Sequence, residues 1–309
     1  MDIPLSISGQ DAGHGLKLKT LRFRAPAKIN WTLEVLRRRE DGYHEVRTVL
    51  QTIDLYDELE FTDCDDLRLD TEGAPDLGED DLVLRAASLV RPPGQGALIR
   101  LCKRIPSAAG LGGGSSDAAA TLRGLNALWE LDLSREPLAE KAAELGSDVP
   151  FFLYGGSALA SGRGEAIEPL PDAPPYWLVL AVPPITKAAK TESMYSLLPA
   201  SAYSNGARTD RFARELRERR NFPTELIENV FEQTALHFFP DLARFKKRFR
   251  EASGRPVHLA GSGPALFAPA GDRGEAEAIR DRCVTSGCQV ILARTTTRAE
   301  ALEIPGDHR

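Results

Sequence analysis

One stretch decides the fold of this chain: Pro106-Ser-Ala-Ala-Gly-Leu-Gly-Gly-Gly-Ser-Ser116. Glycine accepts positive φ and leaves the main chain uncovered, so successive N–H groups can converge on an anion. Before it, residues 97–105 alternate apolar and charged side chains near their end, as a half-buried strand does. After it, residues 117–129 are rich in helix formers. The order of strand, glycine loop and helix predicts a cradle for phosphate.

The helix after the loop supplies the second part of this cradle. It places one apolar face toward a core, formed by Leu122, Leu125, Leu128 and Trp129. We expect Ser115 or Ser116 to be its N-cap. The unpaired amides and positive dipole end of the helix then face whatever the loop holds.

A flexible Gly/Ser linker is the alternative reading of the same run. Its ordered neighbours favour the cradle. The loop is not a Walker A sequence, which needs Lys and then Ser or Thr after its last glycine, because Ser115 follows Gly114 directly. A cation for the phosphate must therefore come from elsewhere in the chain.

The composition is that of an ordinary globular protein with room for two domains. The chain has 309 residues, 42% of them hydrophobic and 27% charged, with a formal net charge of −6. This balance predicts no affinity for nucleic acid or an anionic membrane, and favours a small-molecule ligand held by local fields. The N-terminus lacks a secretory pattern and the apolar run 177–182 is too short to span a bilayer, so we expect a cytoplasmic protein. The four scattered cysteines predict reduced thiols.

Composition shifts divide the chain into three parts. We expect a loosely ordered extension over residues 1–20, an N-terminal domain over 21–172 and a C-terminal domain over 173–309, with the boundary in the proline-rich stretch 169–175. We expect strands over 27–35, 46–55 and 176–182, and helices over 134–145 and 222–252. Between them we expect a turn at 40–42, an acidic surface loop over 63–81 and a glycine turn between two strands over 257–267. The polar stretch 200–221 has no assigned function.

Two charged residues stand out against this background. In the strand around Lys28, the polar residues Lys28, Asn30 and Thr32 share one face; the alternative is an edge strand with a solvated lysine. Asp148 lies between a helix end and an apolar run, where it could simply cap the next helix. Phosphoryl transfer requires a phosphate cradle, a cation and a carboxylate that orients or deprotonates the attacking hydroxyl. The loop, Lys28 and Asp148 would supply these parts, and a nearby lysine would favour the ionised aspartate.

Three ordered motifs resemble those of the GHMP kinases, named for galactokinase, homoserine kinase, mevalonate kinase and phosphomevalonate kinase. They are Pro26-Ala-Lys-Ile-Asn30, the glycine-rich loop and Ala260-Gly-Ser-Gly-Pro264. Within this family, the chain is most similar to the members that act on a cytidine diphosphate-linked methylerythritol, through Asp41-Gly-Tyr-His44, Lys103-Arg-Ile-Pro106 and Gly146-Ser-Asp-Val-Pro-Phe151. The resemblance runs from about Leu21 to the C-terminal region.

The resemblance implies an α+β fold with two domains. The N-terminal domain would be a ribosomal protein S5 domain 2-like ATP-binding domain, and the C-terminal domain a ferredoxin-like α/β sandwich. It further implies an enzyme, monomeric or homodimeric, that uses ATP and Mg²⁺. The reaction would be phosphorylation of the 2-hydroxyl of the methylerythritol unit, a step in the non-mevalonate route to isoprenoid precursors.

Residue roles follow from the matching positions. Lys28 and Asp148 would be catalytic. The ATP phosphates would lie on a set of loop residues: Pro106, Ala108, Ala109, Gly110, Leu111, Gly112, Gly113, Gly114, Ser115 and Ser116. One of the two serines would lie near Mg²⁺. The substrate would contact Asn30, Tyr43, His44, Asp148, Tyr195, Gly261 and Ser262. Aromatic rings offer stacking faces for cytosine, which suits Tyr43 and Tyr195.

Some positions leave alternatives open. Without the family, Tyr43 and His44 are ordinary turn-flanking residues. Val230 stands where the family has an acidic residue, and Asp117 could touch Mg²⁺, point away or cap the helix. The rival functions are another small-molecule kinase on the same scaffold, of the homoserine or mevalonate type, and a regulator that binds nucleotide without reaction.

Overall fold

The chain folds around two β-sheets with helices against them. The structure is a computed structural model that describes residues 19–73, 81–185, 191–218, 222–284 and 287–304. The first sheet has seven strands: β1 (Thr20–Arg38), β2 (His44–Cys64), β3 (Leu67–Glu72), β4 (Gly96–Cys102), β5 (Ser157–Ser161), β6 (Ala166–Pro169) and β8 (Glu228–Asn229). The second has four: β7 (Trp177–Val182), β9 (His258–Leu259), β10 (Leu266–Ala270) and β11 (Gln289–Arg294).

The first sheet is built on the long hairpin of β1 and β2. Its turn lies where the sequence predicts it, with Gly42 at φ +86° and the amide of Arg39 donating to the carbonyl of Tyr43. The strand order is β3-β4-β2-β1-β8, and β5 with β6 continues from another part of β2. β1 therefore has neighbours on both sides, so the predicted alternative of an edge strand is wrong.

Helices cover one face of this sheet. They are α1 (Leu82–Val90), α2 (Gly113–Leu128), α3 (Arg135–Leu145) and α4 (Phe151–Tyr154). Leu122, Leu125 and Leu128 on α2 are buried as predicted, and Gly124 lets the helix approach the ring of Phe61. This packing fixes the start of α2, which follows the glycine loop directly.

The second sheet has the order β11-β7-β10-β9, with all pairs antiparallel. Its helices include α7 (Phe231–Phe238), α8 (Leu242–Ser253) and α9 (Arg273–Cys283). The described residues also form α5 (Thr191–Ser196), α6 (Ala207–Arg217) and α10 (Arg298–Leu302). A bridge between Ile53 and Thr295 joins the two sheets. The division into domains at 169–175 stays a prediction.

Three local expectations were wrong. α2 begins at Gly113 with Gly112 as N-cap, so Ser115 and Ser116 lie inside the first turn. Residues 222–252 are not one helix: they contain a 3-10 turn and β8, followed by α7 and α8, which are separate because Pro240 cannot continue α7. The acidic stretch 63–81 contains β3 as well as a loop, of which residues 74–80 lie outside the described part. Most of the predicted extension, residues 1–18, also lies outside it.

Candidate active site

The glycine-rich loop, residues 106–116, and the second glycine motif, residues 260–264, meet at the middle of β1. The amide of Lys28 donates to the carbonyl of Leu111 in the loop at 2.9 Å, and that of Asn30 donates to the carbonyl of Ala260 at 2.9 Å. The amide of Ala265 in turn donates to the carbonyl of Ala109 at 3.1 Å. Main-chain hydrogen bonds thus bring together three motifs that lie far apart in the sequence.

Glycine is required here because backbones touch. A Cβ on Gly261 would lie 2.3 Å from the carbonyl oxygen of Gly110, and one on Gly263 would lie 2.4 Å from the carbonyl carbon of Ala109. Gly112 has φ +76°, and its Cβ would lie 2.9 Å from Cγ of Lys28. The glycines therefore fix the geometry of the loop as well as leaving it open to an anion.

The start of α2 presents free amides next to this contact. The first helical hydrogen bond of α2 runs from the amide of Ser116 to the carbonyl of Gly112 at 2.9 Å, so the amides before it have no partner within the helix. Ser115 is partly exposed, whereas Ser116 is fully buried and its Oγ finds no hydrogen-bond partner among the described residues. The loop and the helix N-terminus together have the features of an anion site.

Lys28 is a buried ammonium held by a chain of polar groups. Its side chain is 5% exposed, and Nζ lies 3.3 Å from Oδ2 of Asp148 and 2.8 Å from Oδ1 of Asn30. The amide nitrogen of Asn30 donates to Oγ1 of Thr48 at 2.7 Å, and that hydroxyl donates to the carbonyl of Thr32 at 2.6 Å. Because each group in this chain is satisfied by the next, the ammonium has one defined position.

Asp148 faces outward from the end of this chain. It follows α3, whose C-cap is Gly146, and the N-cap of the next helix is Pro150. Capping by Asp148 is therefore not its role here. Its side chain is 41% exposed, so the carboxylate is open to a ligand while its ammonium partner is not.

The aromatic residues predicted for substrate binding include one stacked pair. The rings of His44 and Tyr195 stack directly at a centroid distance of 5.0 Å, which leaves no room for a base between these two rings. Burial and, second, the charge of Asp148 raise the pKa of the Tyr195 hydroxyl, so this residue lies within electrostatic reach of the carboxylate. The ring of Tyr43 is 52% exposed and has the guanidinium of Arg163 over it at 4.7 Å. Of the two tyrosines predicted to stack on cytosine, Tyr43 is therefore the more accessible.

Sequence reasoning missed several residues of the site. Tyr203 places its hydroxyl 3.2 Å from Nε2 of His44, and burial, with a smaller effect from Arg38, lowers the pKa of that imidazole. Arg163 and Thr48 were also missed. The alternation of polar and apolar residues along β2 could have indicated Thr48. In contrast, no residue near Tyr203 in the sequence indicates its contact with His44.

Asn229 holds the second glycine motif, residues 260–264, in place through hydrogen bonds. Its side-chain amide donates to the carbonyls of Leu259 and Gly261 at 3.1 and 2.9 Å, and its Oδ1 accepts from the amide of Phe231 at 3.0 Å. The apolar Val230 after it does not disturb this arrangement. Asn229 therefore belongs to the framework that holds Gly261.

Asp117 points into the protein, against Lys103. Its Oδ2 accepts a hydrogen bond from Nζ of Lys103 at 2.6 Å, and its side chain is 3% exposed. It neither caps α2 nor reaches solvent. Within the described ranges, His, Cys, Asp and Glu side chains form no group of three that could hold a metal ion. None of the described helices is long and apolar enough to cross a membrane.

Comparison with known proteins identifies the family. Residues 81–156 match the family model for the GHMP kinases N terminal domain. The 4-diphosphocytidyl-2-C-methyl-D-erythritol kinase of Dehalococcoides mccartyi is 41% identical over 279 residues, which are 89% of this chain and 98% of that protein. The enzyme of the same name from Geobacillus kaustophilus is 44% identical over 257 residues, 80% of this chain and 87% of its own length.

Solved structures agree with the sequences. A crystal structure of 4-(cytidine 5'-diphospho)-2C-methyl-D-erythritol kinase superposes with a TM-score of 0.74 at 34% identity, covering 89% of this chain and 99% of the other. Homoserine kinase from Cytophaga hutchinsonii gives a TM-score of 0.67 at 17% identity over 97% of this chain and all of that one, which shows the shared fold alone. The predicted α+β GHMP kinase fold is confirmed. The chain belongs to the 4-diphosphocytidyl-2-C-methyl-D-erythritol kinases, a branch of the GHMP kinase family.

Proposed function

We propose that this kinase transfers the γ-phosphate of ATP to the 2-hydroxyl of 4-diphosphocytidyl-2-C-methyl-D-erythritol, with Asp148 as the base and Lys28 as its charged partner. One observation carries the assignment of roles: Nζ of Lys28 lies 3.3 Å from Oδ2 of Asp148, beside a glycine loop and a helix N-terminus. Asp148 accepts the hydroxyl proton as the oxygen bonds to phosphorus, and the bond to the leaving ADP breaks.

Lys28 contributes electrostatics rather than proton transfer. The ammonium orients the Asp148 carboxylate through its charge and its fixed position on β1. The aliphatic part of Lys28 lies against the loop, where a Cβ on Gly112 would be 2.9 Å from its Cγ, and its ammonium lies beside the second glycine motif, where a Cβ on Gly261 would be 3.4 Å from Nζ. Negative charge that develops on the transferred phosphoryl group is therefore stabilised by an ammonium that is already in position and does not have to move.

The glycine loop and the first amides of α2 bind the phosphates. The orphaned hydroxyl of Ser116, with Ser115 beside it, fits an ATP–Mg²⁺ group, because a buried hydroxyl without a protein partner needs one. When bound, Mg²⁺ neutralises charge on the phosphate oxygens. We infer that Ser115 and Ser116 are the residues that would hold it.

The cytidine end of the substrate would lie on the aromatic side of Asp148. Tyr43 offers the open stacking ring, and His44, held by Tyr203 and stacked on Tyr195, offers hydrogen-bonding groups to a base edge. Gly261 and Ser262 would line the pocket near Lys28, since a Cβ on Gly261 would lie 3.4 Å from Nζ of Lys28. The substrate is a small molecule. We further propose a cytoplasmic monomer or homodimer.

Replacement of Asp148 tests the assignment of the base. We expect Asp148→Asn to lower kcat by about 10²–10⁴-fold while ATP still binds. Asp66→Asn is the matched control, since Asp66 is an exposed aspartate paired with Arg68 at 2.9 Å, far from the loop. A coupled assay for ADP measures turnover. Full turnover by Asp148→Asn would remove it from this role.

Competition by cytidine diphosphate separates this function from its rivals. We expect cytidine diphosphate to inhibit competitively with the acceptor, and Tyr43→Ala to weaken that inhibition about tenfold, the effect of losing one base–aromatic stack. Tyr43→Phe keeps the ring and should keep the inhibition. Indifference to cytidine diphosphate combined with turnover of homoserine or mevalonate would favour another kinase of the fold, and ATP binding without turnover of any acceptor would favour a silent regulator.

A further inference from the structure

A buried ionic cluster lies behind the phosphate loop and takes no part in the chemistry above. Nζ of Lys103 donates to Oδ2 of Asp57 at 2.5 Å and to Oδ2 of Asp117 at 2.6 Å. The three side chains are 9%, 0% and 3% exposed, respectively. A group of charges this far from water needs a structural or functional reason, because its desolvation is costly.

The cluster joins both ends of the glycine loop to the sheet. Oδ1 of Asp57, on β2, accepts from the amides of Arg104 and Ile105 at 2.5 and 2.8 Å, and these residues lead directly into Pro106. Asp117 lies in the helix that follows the loop. Lys103 bridges the two carboxylates, so the entry and the exit of the loop are held by one ammonium.

The ammonium also contacts the start of the helix. A Cβ on Gly113 would lie 3.2 Å from Nζ of Lys103. Oδ1 of Asp117 is buried without a hydrogen-bond partner among the described residues, so Lys103 makes the hydrogen bond that orients this carboxyl group. Glycines have no side chains with which to hold a loop in place, and the position of this loop therefore depends on the residues at its two ends.

Charge balance within the cluster is incomplete. Two carboxylates face one ammonium. Burial raises the pKa of Asp117 to about 8 against the opposing charge of Lys103, and the charge of Asp57 adds to the rise. Burial alone would lower the pKa of Lys103, but its two carboxylate partners outweigh burial and raise it. The lysine is thus charged near neutral pH, and a neutral oxygen acceptor at position 117 satisfies it.

We propose that Lys103 is a positioning residue for ATP, which acts by holding the start of α2 and the loop before it at a fixed distance from the sheet. This inference rests on the proposed binding of phosphate by the loop. Lys103 does not touch the phosphates, because its side chain is 9% exposed and lies between two carboxylates. Loss of the bridge lets the loop amides drift from the positions of the phosphate oxygens, so ATP binding suffers and acceptor binding does not.

Variants at Asp117 and Lys103 test this role. We expect Asp117→Leu and Lys103→Met to raise KM for ATP about tenfold or more, the scale of a lost hydrogen bond to a charged group, with KM for the acceptor within twofold. Asp117→Asn keeps an oxygen acceptor for Lys103 and should keep KM for ATP within threefold. The control is Glu130→Gln, which breaks an ion pair with Lys19 at 2.8 Å beyond the other end of α2 and should change neither constant.

Calorimetric titration with Mg²⁺-ATP tests separately whether the loop binds phosphate and whether Lys103 positions the loop. Failure of the wild-type protein to bind ATP would overturn the proposed function of the loop. Wild-type binding that is unaltered in Asp117→Leu would overturn only the role of Lys103. A lower melting temperature of Asp117→Leu with an unchanged KM for ATP would also overturn the role of Lys103, because the cluster would then contribute to stability alone. If Lys103→Met does not fold, the comparison of Asp117→Leu with Asp117→Asn decides the question.

Discussion

Gly261→Ala is expected to disable the kinase through a clash between two backbones. The substitution places a Cβ 2.3 Å from the carbonyl oxygen of Gly110, and the next nearest atom is the carbonyl carbon of the same residue at 3.3 Å. Neither is the end of a flexible side chain. Relief of the clash requires the second glycine motif and the phosphate loop to move apart.

The size of the movement follows from these distances. Ordinary carbon–oxygen contacts between backbones are about 3.3 Å or longer, so the two segments must separate by roughly 1 Å. A misplacement of about 1 Å at reacting groups costs on the order of 10²-fold in rate, or about 2.7 kcal/mol. Overpacking at a rigid contact costs a further 1–3 kcal/mol, approximately, in stability. Asn229 adds to the resistance, because its amide holds the carbonyl of Gly261 at 2.9 Å.

Steady-state kinetics and thermal unfolding of Gly261→Ala check this reasoning. We expect kcat/KM to fall about 10²-fold, with loss of ATP affinity measured directly by titration. Gly274→Ala is the matched control, since Gly274 lies in α9 and a Cβ there would meet the Oδ1 atom of Asp272 at 3.4 Å, an ordinary contact. Activity of Gly261→Ala within threefold of wild type would refute the view that this backbone contact sets the loop geometry.

Two further predictions concern buried polar groups. Thr48→Val keeps the shape of the side chain but removes the hydroxyl that bonds to the side-chain amide of Asn30 and to the carbonyl of Thr32. We expect the free energy of unfolding by denaturant to fall by about 1–3 kcal/mol and kcat to fall at constant KM. An unchanged free energy of unfolding and an unchanged kcat would contradict the view that these hydrogen bonds orient Lys28. Burial lowers the pKa of His258 to about 4, so the folded protein keeps this imidazole neutral while the unfolded chain protonates near 6.5. Stability from this group is full above pH 6.5 and is lost as the pH falls toward 4, by about 3 kcal/mol at most. Unfolding of wild type and His258→Phe at pH 7 and pH 5 measures the difference, and an NMR titration midpoint of His258 near 6.5 would disprove it.

Local patterns in the sequence were sufficient for the parts of the site that depend on nearby residues. Glycine spacing predicted the loop between a strand and a helix, and α3 begins after Ser134 and ends before Gly146, as the capping residues indicate. The pairing of Lys28 with Asp148 came from the chemistry that a phosphate cradle requires. The assignment to the GHMP kinases and the α+β fold were confirmed by relatives and solved structures.

Contacts between distant segments could not be read in the same way. Alternation along residues 26–35 fits an edge strand and a central strand equally. Lys28 is buried where the glycine loop lies against β1, with the amide of Lys28 donating to the carbonyl of Leu111. The start of α2 was misplaced because serine is the commoner N-cap, whereas the crowding of Gly112 by Phe152 and Lys28 selects glycine there. Tyr203 reaches His44 across 159 positions of sequence.

The site separates two kinds of specificity. Its catalytic geometry is made largely by main chain, since Leu111, Ala260 and Ala109 contribute carbonyls and the glycines contribute the absence of side chains. Homoserine kinase shares this fold at 17% identity, which a backbone framework permits because few side chains are needed to preserve it. The residues assigned to the cytidine end lie instead on a hairpin turn and on α5. We therefore expect substitutions there to alter binding of the acceptor without moving the loop.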